Sequence, residues 1–487
     1  MKKNSVVANY ILNTIYQVLI IIVPLITTPY VSRVLGAEGI GKYSYTYSII
    51  SYLLIFSAMG TTTYGQRTIA YFQDDVYKRS CKFFEIVIFR GCLTLGCILL
   101  YVVYLVGPLC KYKNVAIVQS IYLISLVFDV SWFFQGMEDF KRLVFRNTVA
   151  KIFNIVLIFL FVKDKGDVIS YTLILSGMTF IANISIWPYL PSLIKKVKLK
   201  DLHPFSNFKE IFLLFIPTVA IQINGVLDKT MIGSFAMSAS ENGYYEQTDK
   251  VVRMALAVVT SLGTVMIPRI SKLYFDKKYD EMQNYINKSY QMIWLMGVPI
   301  MFGITAISSV FVPVFYGIGF NKIKILLPIY CCMIIPVALS NVTGCQFLIP
   351  TKQQNVYSLA VVLSTIVNII FNVVLIPKYL SIGASIASVS AEIVGALVML
   401  IYVNKKNMIK IKDIFTISIK KWIAGIIMYV VVKILSVYLA ISIMSLIILI
   451  VIGGITYLLG LMVLKDKFLM NILENIHQKF VKSKRFI

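Results

Sequence analysis

The sequence predicts an all-α polytopic membrane protein with about 14 transmembrane helices, arranged as two six-helix lobes followed by two C-terminal helices. Three observations predict this. Of 487 residues, 58% are hydrophobic and only 14% charged, with a mean hydropathy of +0.81; soluble domains carry about 25% charged residues. The apolar residues collect into fourteen runs close to the roughly 20 residues that a helix needs to cross a bilayer. The basic residues concentrate in alternate connections between those runs.

The runs fall at 8–30, 41–60, 84–106, 114–135, 144–162, 168–190, 209–233, 248–268, 289–314, 326–348, 356–376, 382–403, 422–440 and 442–464. Backbone polar groups have no water to bond inside a bilayer, so runs of this length imply helices. The connections are short, and none could hold a soluble core of its own. The first run is too long for the apolar region of a cleavable signal, and many spans follow it. The seven cysteines lack metal-ligand spacing and read as small buried hydrophobes.

With the N-terminus placed in the cytoplasm, 32 of the 47 Lys and Arg fall in cytoplasmic segments and 9 in outer loops. That bias predicts both termini inside and an even number of helices in a multi-pass bacterial cytoplasmic membrane protein. It also accounts for the formal charge of +25, which would otherwise suggest nucleic acid as a partner.

An internal repeat is visible. Gly41 and Gly243, Tyr43 and Tyr245, and Arg67 and Arg269 are each 202 positions apart; Gln135 and Gln346, and Lys141 and Lys352, are 211 apart. Helices one to six would then recur as seven to twelve. An even repeat keeps its orientation, so the lobes would be related by a pseudo-twofold along the membrane normal. This divides the chain into an N-terminal lobe (1–200), a C-terminal lobe (201–410), and helices thirteen and fourteen with a basic tail (411–487).

Polar residues inside the spans carry the functional information. Asn9, Asn13 and Gln17 recur every four residues, giving the first helix a polar face such as lines a wet cavity, with Arg33 near its outer end. Asn224 and Asp228 extend a similar face in helix seven, beside Lys229. Asp249 and Arg253 form an i, i+4 pair in helix eight, Asp129 lies in helix four, and Glu392 sits among Ala384, Ser388 and Gly395 in helix twelve. A charge at the bilayer centre costs about 2.5–3.5 kcal/mol on insertion scales, so each needs a partner or water. For Glu85 and Arg90, near the start of helix three, snorkelling to the interface is a sufficient account. Pro24, Pro217 and Pro299 interrupt helices one, seven and nine.

Catalysis has little support. The run from Gly36 to Tyr43 nearly spells a phosphate-binding loop, but Tyr43 stands where Ser or Thr must hold Mg²⁺ and no strand precedes it. Only His203 and His477 exist, both in polar stretches, so no intramembrane histidine site can be built. No metal site is expected. A polysaccharide polymerase should show a large outer loop and an acyltransferase a membrane-embedded histidine, and neither is present.

Three stretches carry a resemblance: Pro29-Tyr-Val-Ser-Arg33-Val-Leu-Gly36-Ala-Glu-Gly39-Ile-Gly41, then Gly65-Gln-Arg67, then Asp129-Val-Ser-Trp132-Phe-Phe-Gln135-Gly136-Met-Glu138. Together they resemble the polysaccharide repeat-unit flippases of O-antigen, capsule and exopolysaccharide assembly, over roughly residues 1–400. That family shares a superfamily with multidrug and toxin extruders and lipid II flippases. The resemblance implies two lobes in a V working by alternating access on undecaprenyl-pyrophosphate-linked oligosaccharides. A polysaccharide polymerase and chain-length machinery would be its partners. It implies cations for the pyrophosphate, with Arg33, Arg253 and Lys229 as candidates. Asn9, Asn13, Gln17, Gln222 and Asn224 would meet the sugar, and Asp228 and Glu392 would bind a coupling H⁺ or Na⁺. A lipid II flippase or a multidrug exporter of the same architecture is the competing reading.

Overall fold

The computed structural model describes the backbone of residues 3–484. Side chains of residues 1–21, 217, 218, 220, 221, 262, 264, 265, 475–477 and 479–487 lie outside the described part. Asn9, Asn13 and Gln17, the stripe that marks the first helix, and Pro217 are therefore outside the described residues.

Every regular element among the described residues is helical. The first, α1 (Lys3–Ala58), is two helices joined at Gly36, whose φ of 65° and ψ of 177° leave the helical region. Glycine adopts a positive φ without the Cβ clash other residues meet. The near phosphate-binding loop is thus a one-residue kink followed directly by helix. A second positive-φ glycine, Gly60, ends α1, and the short α2 (Thr61–Tyr71) follows. Next comes α3 (Val76–Val106), capped by Asp75, which accepts from the Lys78 amide at 3.0 Å. That hydrogen bond holds the Asp75 carboxyl below its ordinary value.

Helix four is broken where the sequence predicts one run. α4 (Lys113–Val127) stops, and a six-residue α5 (Ser131–Gly136) follows. Side chains take up the carbonyls freed at the break: Trp187 Nε1 donates to Phe128 O at 2.8 Å and Arg90 Nη1 to Asp129 O at 2.7 Å. Asp129 in turn accepts from the Ser131 amide at 3.0 Å and its hydroxyl at 2.5 Å. Irregular backbone at membrane depth survives only with such internal partners. Asp129 and Arg90 are thereby structural. Arg90 does not snorkel, for its side chain is only 3% exposed. Glu85 is buried too, paired with Lys82 at 2.7 Å and the His203 amide at 3.2 Å.

α6 (Phe140–Phe161) and α7 (Val168–Ser185) complete the first six predicted spans. The second series is α8 (Phe208–Phe235), α9 (Ser240–Phe275), α10 (Tyr279–Tyr316), α11 (Ile323–Cys331), α12 (Ile334–Ser340), α13 (Gln354–Tyr379) and α14 (Ser381–Lys405). With 36 and 38 residues, α9 and α10 reach about 55 Å at 1.5 Å per residue, well past the hydrocarbon core. Helix ten is interrupted as helix four is: α11 and α12 run into a π-helical turn at Asn341–Leu348. α15 (Ile411–Tyr438), α16 (Ile443–Val463) and α17 (Lys467–Lys484) close the chain.

Eleven helices are long and apolar enough to cross a membrane among the described residues. The remaining predicted spans, 8–30, 41–60 and 209–233, fall in α1, the turn that ends it, and α8; both helices include residues whose side chains lie outside the description.

The chain forms two compact units, Met1–Glu246 and Gln247–Ile487. This division by packing differs from the repeat boundaries read at 200 and 410, because α8 packs on α1. In the first unit, Trp132, Phe133, Phe134, Phe83, Phe89 and Tyr64 build one aromatic core. The stretches Gly65-Gln-Arg67 and Trp132–Gly136 meet inside it. A methyl group at Gly65 would lie 2.4 Å from the Trp132 ring, and one at Gly136 would lie 2.7 Å from Gln66 O. In the second unit α13 and α14 pack through small residues: Ser364 donates to Ala391 O at 2.8 Å beside Gly395, and Ala384 and Ala387 are fully buried. Helices thirteen and fourteen (α15 and α16) do not stand apart. Ala424, Met428, Val432, Leu449 and Tyr457 pack with Ala306 and Val310 of α10.

All seven cysteines are free, but Cys92 and Cys332 are exposed on their helices rather than buried.

Candidate substrate and ion site

The first polar cluster lies in the first unit, where α1 after its kink meets α8 and the start of α9. A glycine crossing positions it. A methyl group at Gly41 would sit 1.7 Å from Ala239 O, and one at Gly243 would sit 2.0 Å from Ala37 O. Ala37 and Ala239 are 202 positions apart, as Gly41 and Gly243 are. The two small-residue pairs therefore touch reciprocally, as elements related by a local twofold do. Gly233 adds a third close approach: a methyl group there would lie 2.0 Å from the Tyr45 ring.

Such backbone proximity brings charged side chains into contact. Lys229 Nζ lies 2.7 Å from Glu246 Oε2, the two side chains 19% and 13% exposed. Ser44 donates to the same oxygen at 2.9 Å, and Ser44 and Glu246 again differ by 202 positions. The Tyr245 hydroxyl donates to Asp228 Oδ2 at 2.5 Å, and Asp228 is buried. Asn242 Nδ2 donates to Lys229 O at 2.9 Å, and the Thr230 hydroxyl to Ser48 Oγ at 2.8 Å. Asp228 and Lys229, neighbours in the chain, turn to different partners. Each engages a partner the sequence reading did not single out, Tyr245 as a hydrogen-bond donor and Glu246 as an acid. Extending the Gly41/Gly243 and Tyr43/Tyr245 series by one position flags Ser44 and Glu246.

The second cluster lies in the second unit. Asp249 is buried on α9 and accepts from Arg253 Nε at 2.7 Å and from the Tyr330 hydroxyl at 2.9 Å. The Arg253 side chain is 59% exposed. Glu392, half-buried on α14, is within electrostatic reach of Arg253 and of Tyr357.

The other described candidates lie on α1 and α8. Arg33 is exposed on the last turn before the Gly36 kink. On α8, Gln222 is exposed and Asn224 half-buried, one turn before Asp228. No group of three or more His, Cys, Asp or Glu that could hold a metal occurs among the described residues. Chemically, the two clusters offer carboxylates able to exchange a proton or small cation and one exposed guanidinium able to meet an anion.

Comparison with known proteins follows the same lines. Residues 6–274 match the family described as polysaccharide biosynthesis protein. A protein of Escherichia coli (strain K12) named "Putative O-antigen transporter" is 23% identical over 403 residues, covering 80% of this chain and 94% of its own. Among solved structures, the lipid II flippase MurJ in an inward closed conformation superposes with a TM-score of 0.76 at 18% identity, over 96% of this chain and 100% of its own. An inward-facing multidrug resistance MATE family transporter of the MOP superfamily gives 0.62 at 15% identity, over 83% and 99%. At such identities these likenesses describe the fold.

Proposed function

The chain belongs to the polysaccharide biosynthesis protein family, and from that premise we propose that it is a flippase for lipid-linked oligosaccharides. Its cargo would be undecaprenyl-pyrophosphate-linked repeat units, moved from the inner to the outer leaflet of the bacterial cytoplasmic membrane by alternating access. Both termini would lie in the cytoplasm, and a polysaccharide polymerase with its chain-length machinery would take up the product.

One observation carries this reading beyond the family match: buried acids and an exposed arginine sit on long apolar helices. A pyrophosphate in a low-dielectric path needs cations. Arg253 is the best placed because its side chain is 59% exposed although Asp249 holds its Nε. Arg33 would meet the anion at the outer end. Lys229, held by Glu246, would reach it only after that pair opens. Asn9, Asn13, Gln17, Gln222 and Asn224 would hydrogen-bond the sugar. Asp228 and Glu392 would take the coupling H⁺ or Na⁺, since each is a carboxylate withdrawn from bulk water.

The test is transport of a fluorescent lipid-linked oligosaccharide by purified protein in liposomes, with pH and Na⁺ gradients imposed in turn. Transport that ignores both gradients removes the coupling role of Asp228 and Glu392. Wild-type transport by Arg33→Ala and Arg253→Ala removes the cation path. Rescue of a strain depleted of its lipid II flippase would redirect the cargo to the peptidoglycan precursor.

A further inference from the structure

A second amphiphilic site lies away from both clusters, in a groove of about 850 Å³ between α6 and α7. One end is basic. Lys141 is exposed, Arg142 is tied by Nη1 to Asp139 Oδ2 at 2.6 Å, and the Arg142 guanidinium lies 4.8 Å from the Tyr189 ring. Arg146 donates through Nη2 to Ser131 Oγ at 3.1 Å and to Asn147 Oδ1 at 2.8 Å, so the broken helix four helps to orient it. Three cations and one carboxylate, Asp139, thus line this end, with Asp129 behind Ser131 also acting on Arg146. The remaining wall is apolar: Phe145, Val149 and Phe153 follow one another every four residues along α6, opposite Met178 and Ile181 of α7. Phe145 is 70% exposed and Phe153 53%.

We propose that this groove binds an anionic glycerophospholipid of the cytoplasmic leaflet, with its phosphate between Lys141, Arg142 and Arg146 and one acyl chain along Phe145, Val149 and Phe153. The chemistry selects this occupant. Arginines pre-set by neighbours match a phosphate, and a basic pocket between membrane helices on the cytoplasmic side suits an anionic headgroup. The basic-loop asymmetry assigns residues 141–146 to that side. The lining disfavours the sugar-bearing cargo. Its uncharged polar side chains are Ser185, whose hydroxyl already donates to Ala182 O at 2.8 Å, and Tyr189, which stacks on Arg142. A glycan would find few partners there.

Native mass spectrometry of the detergent-purified full chain tests this with phosphatidylglycerol and phosphatidylcholine of matched acyl chains. The wild type should retain phosphatidylglycerol preferentially. Lys141→Gln/Arg142→Gln should lower that retention roughly 25-fold, at about fivefold per cation, toward the phosphatidylcholine level. Ala182→Phe, which fills the apolar part and leaves every charge, should weaken both lipids while the elution profile stays monodisperse. Equal retention of the two lipids by the wild type would overturn the proposal, as would unchanged phosphatidylglycerol binding in both variants. So would displacement of phosphatidylglycerol by equimolar polyprenyl pyrophosphate in the wild type but not in Ala182→Phe, since the groove would then belong to the cargo. Retained phosphatidylglycerol in the presence of polyprenyl pyrophosphate supports it.

Discussion

The two carboxylate clusters use the same parts to different ends. Around Asp228 and Glu246, tyrosine, serine and lysine close on the acids, and the lysine that balances them is 19% exposed. Around Asp249, a tyrosine and an arginine close on the acid in the same way, but the arginine is 59% exposed. The difference comes from the backbone. At the first cluster, helices meet at Gly41 and Gly243, where their main chains nearly touch and the side chains beside them are enclosed. At the second, the ion pair lies along one helix at i, i+4, so nothing in the pairing encloses the arginine's outer end. Enclosure makes a cation a structural partner; exposure leaves it able to meet a mobile anion.

The largest disturbance should come from the crossing itself. Gly41→Val or Gly243→Val forces the main chains apart, and we expect loss of more than about 4 kcal/mol, read as loss of monodisperse protein after extraction. Gly177→Ala, with open space around it, should stay within about 0.5 kcal/mol; equal behaviour of the two would end the argument for a packed crossing. Next is Lys229→Met, which strands Glu246 and should cost about 3–5 kcal/mol, most of it recovered in Lys229→Met/Glu246→Leu. Failure of the double variant to recover in a thermal-unfolding assay would mean that the pair is not isolated. Arg253→Gln should sharpen the contrast from the other side: Tyr330 still donates to the buried Asp249, so stability should fall less than in Lys229→Met, yet transport should fall strongly. A variant with full transport would remove the exposed cation from the path. Smaller than the loss at Lys229 are those expected for Tyr245→Phe and Tyr330→Phe, each removing a hydrogen bond to a carboxylate worth about 1.5–3 kcal/mol. Both acids are buried, so the two losses should be alike, a match measurable by unfolding in matched detergent.

The spans could be read from the chain because a bilayer asks one question of each segment, whether it is long and apolar enough to satisfy its own backbone. Gly41 and Gly243 stood out as well, because both must be small where they touch. Asp129 could not be sorted from sequence: an acid in a span reads alike whether it caps a break or binds an ion. Only the Arg90, Ser131 and Trp187 contacts show that it holds helix four open. Arg90 and Glu85 looked like residues at a helix end able to snorkel, and tertiary neighbours buried both.

Sequence alone was enough for a bundle of membrane helices and for which residues are too costly to be in lipid without purpose. The tertiary structure decided which of those residues meet. It paired Lys229 with Glu246, left Arg253 exposed beside Asp249, bent helices four and ten, and set α15 and α16 against α10. The physical reason is that helix formation in lipid is decided within a segment, whereas the partner of a buried charge depends on which two helix faces come together, and no single segment encodes that.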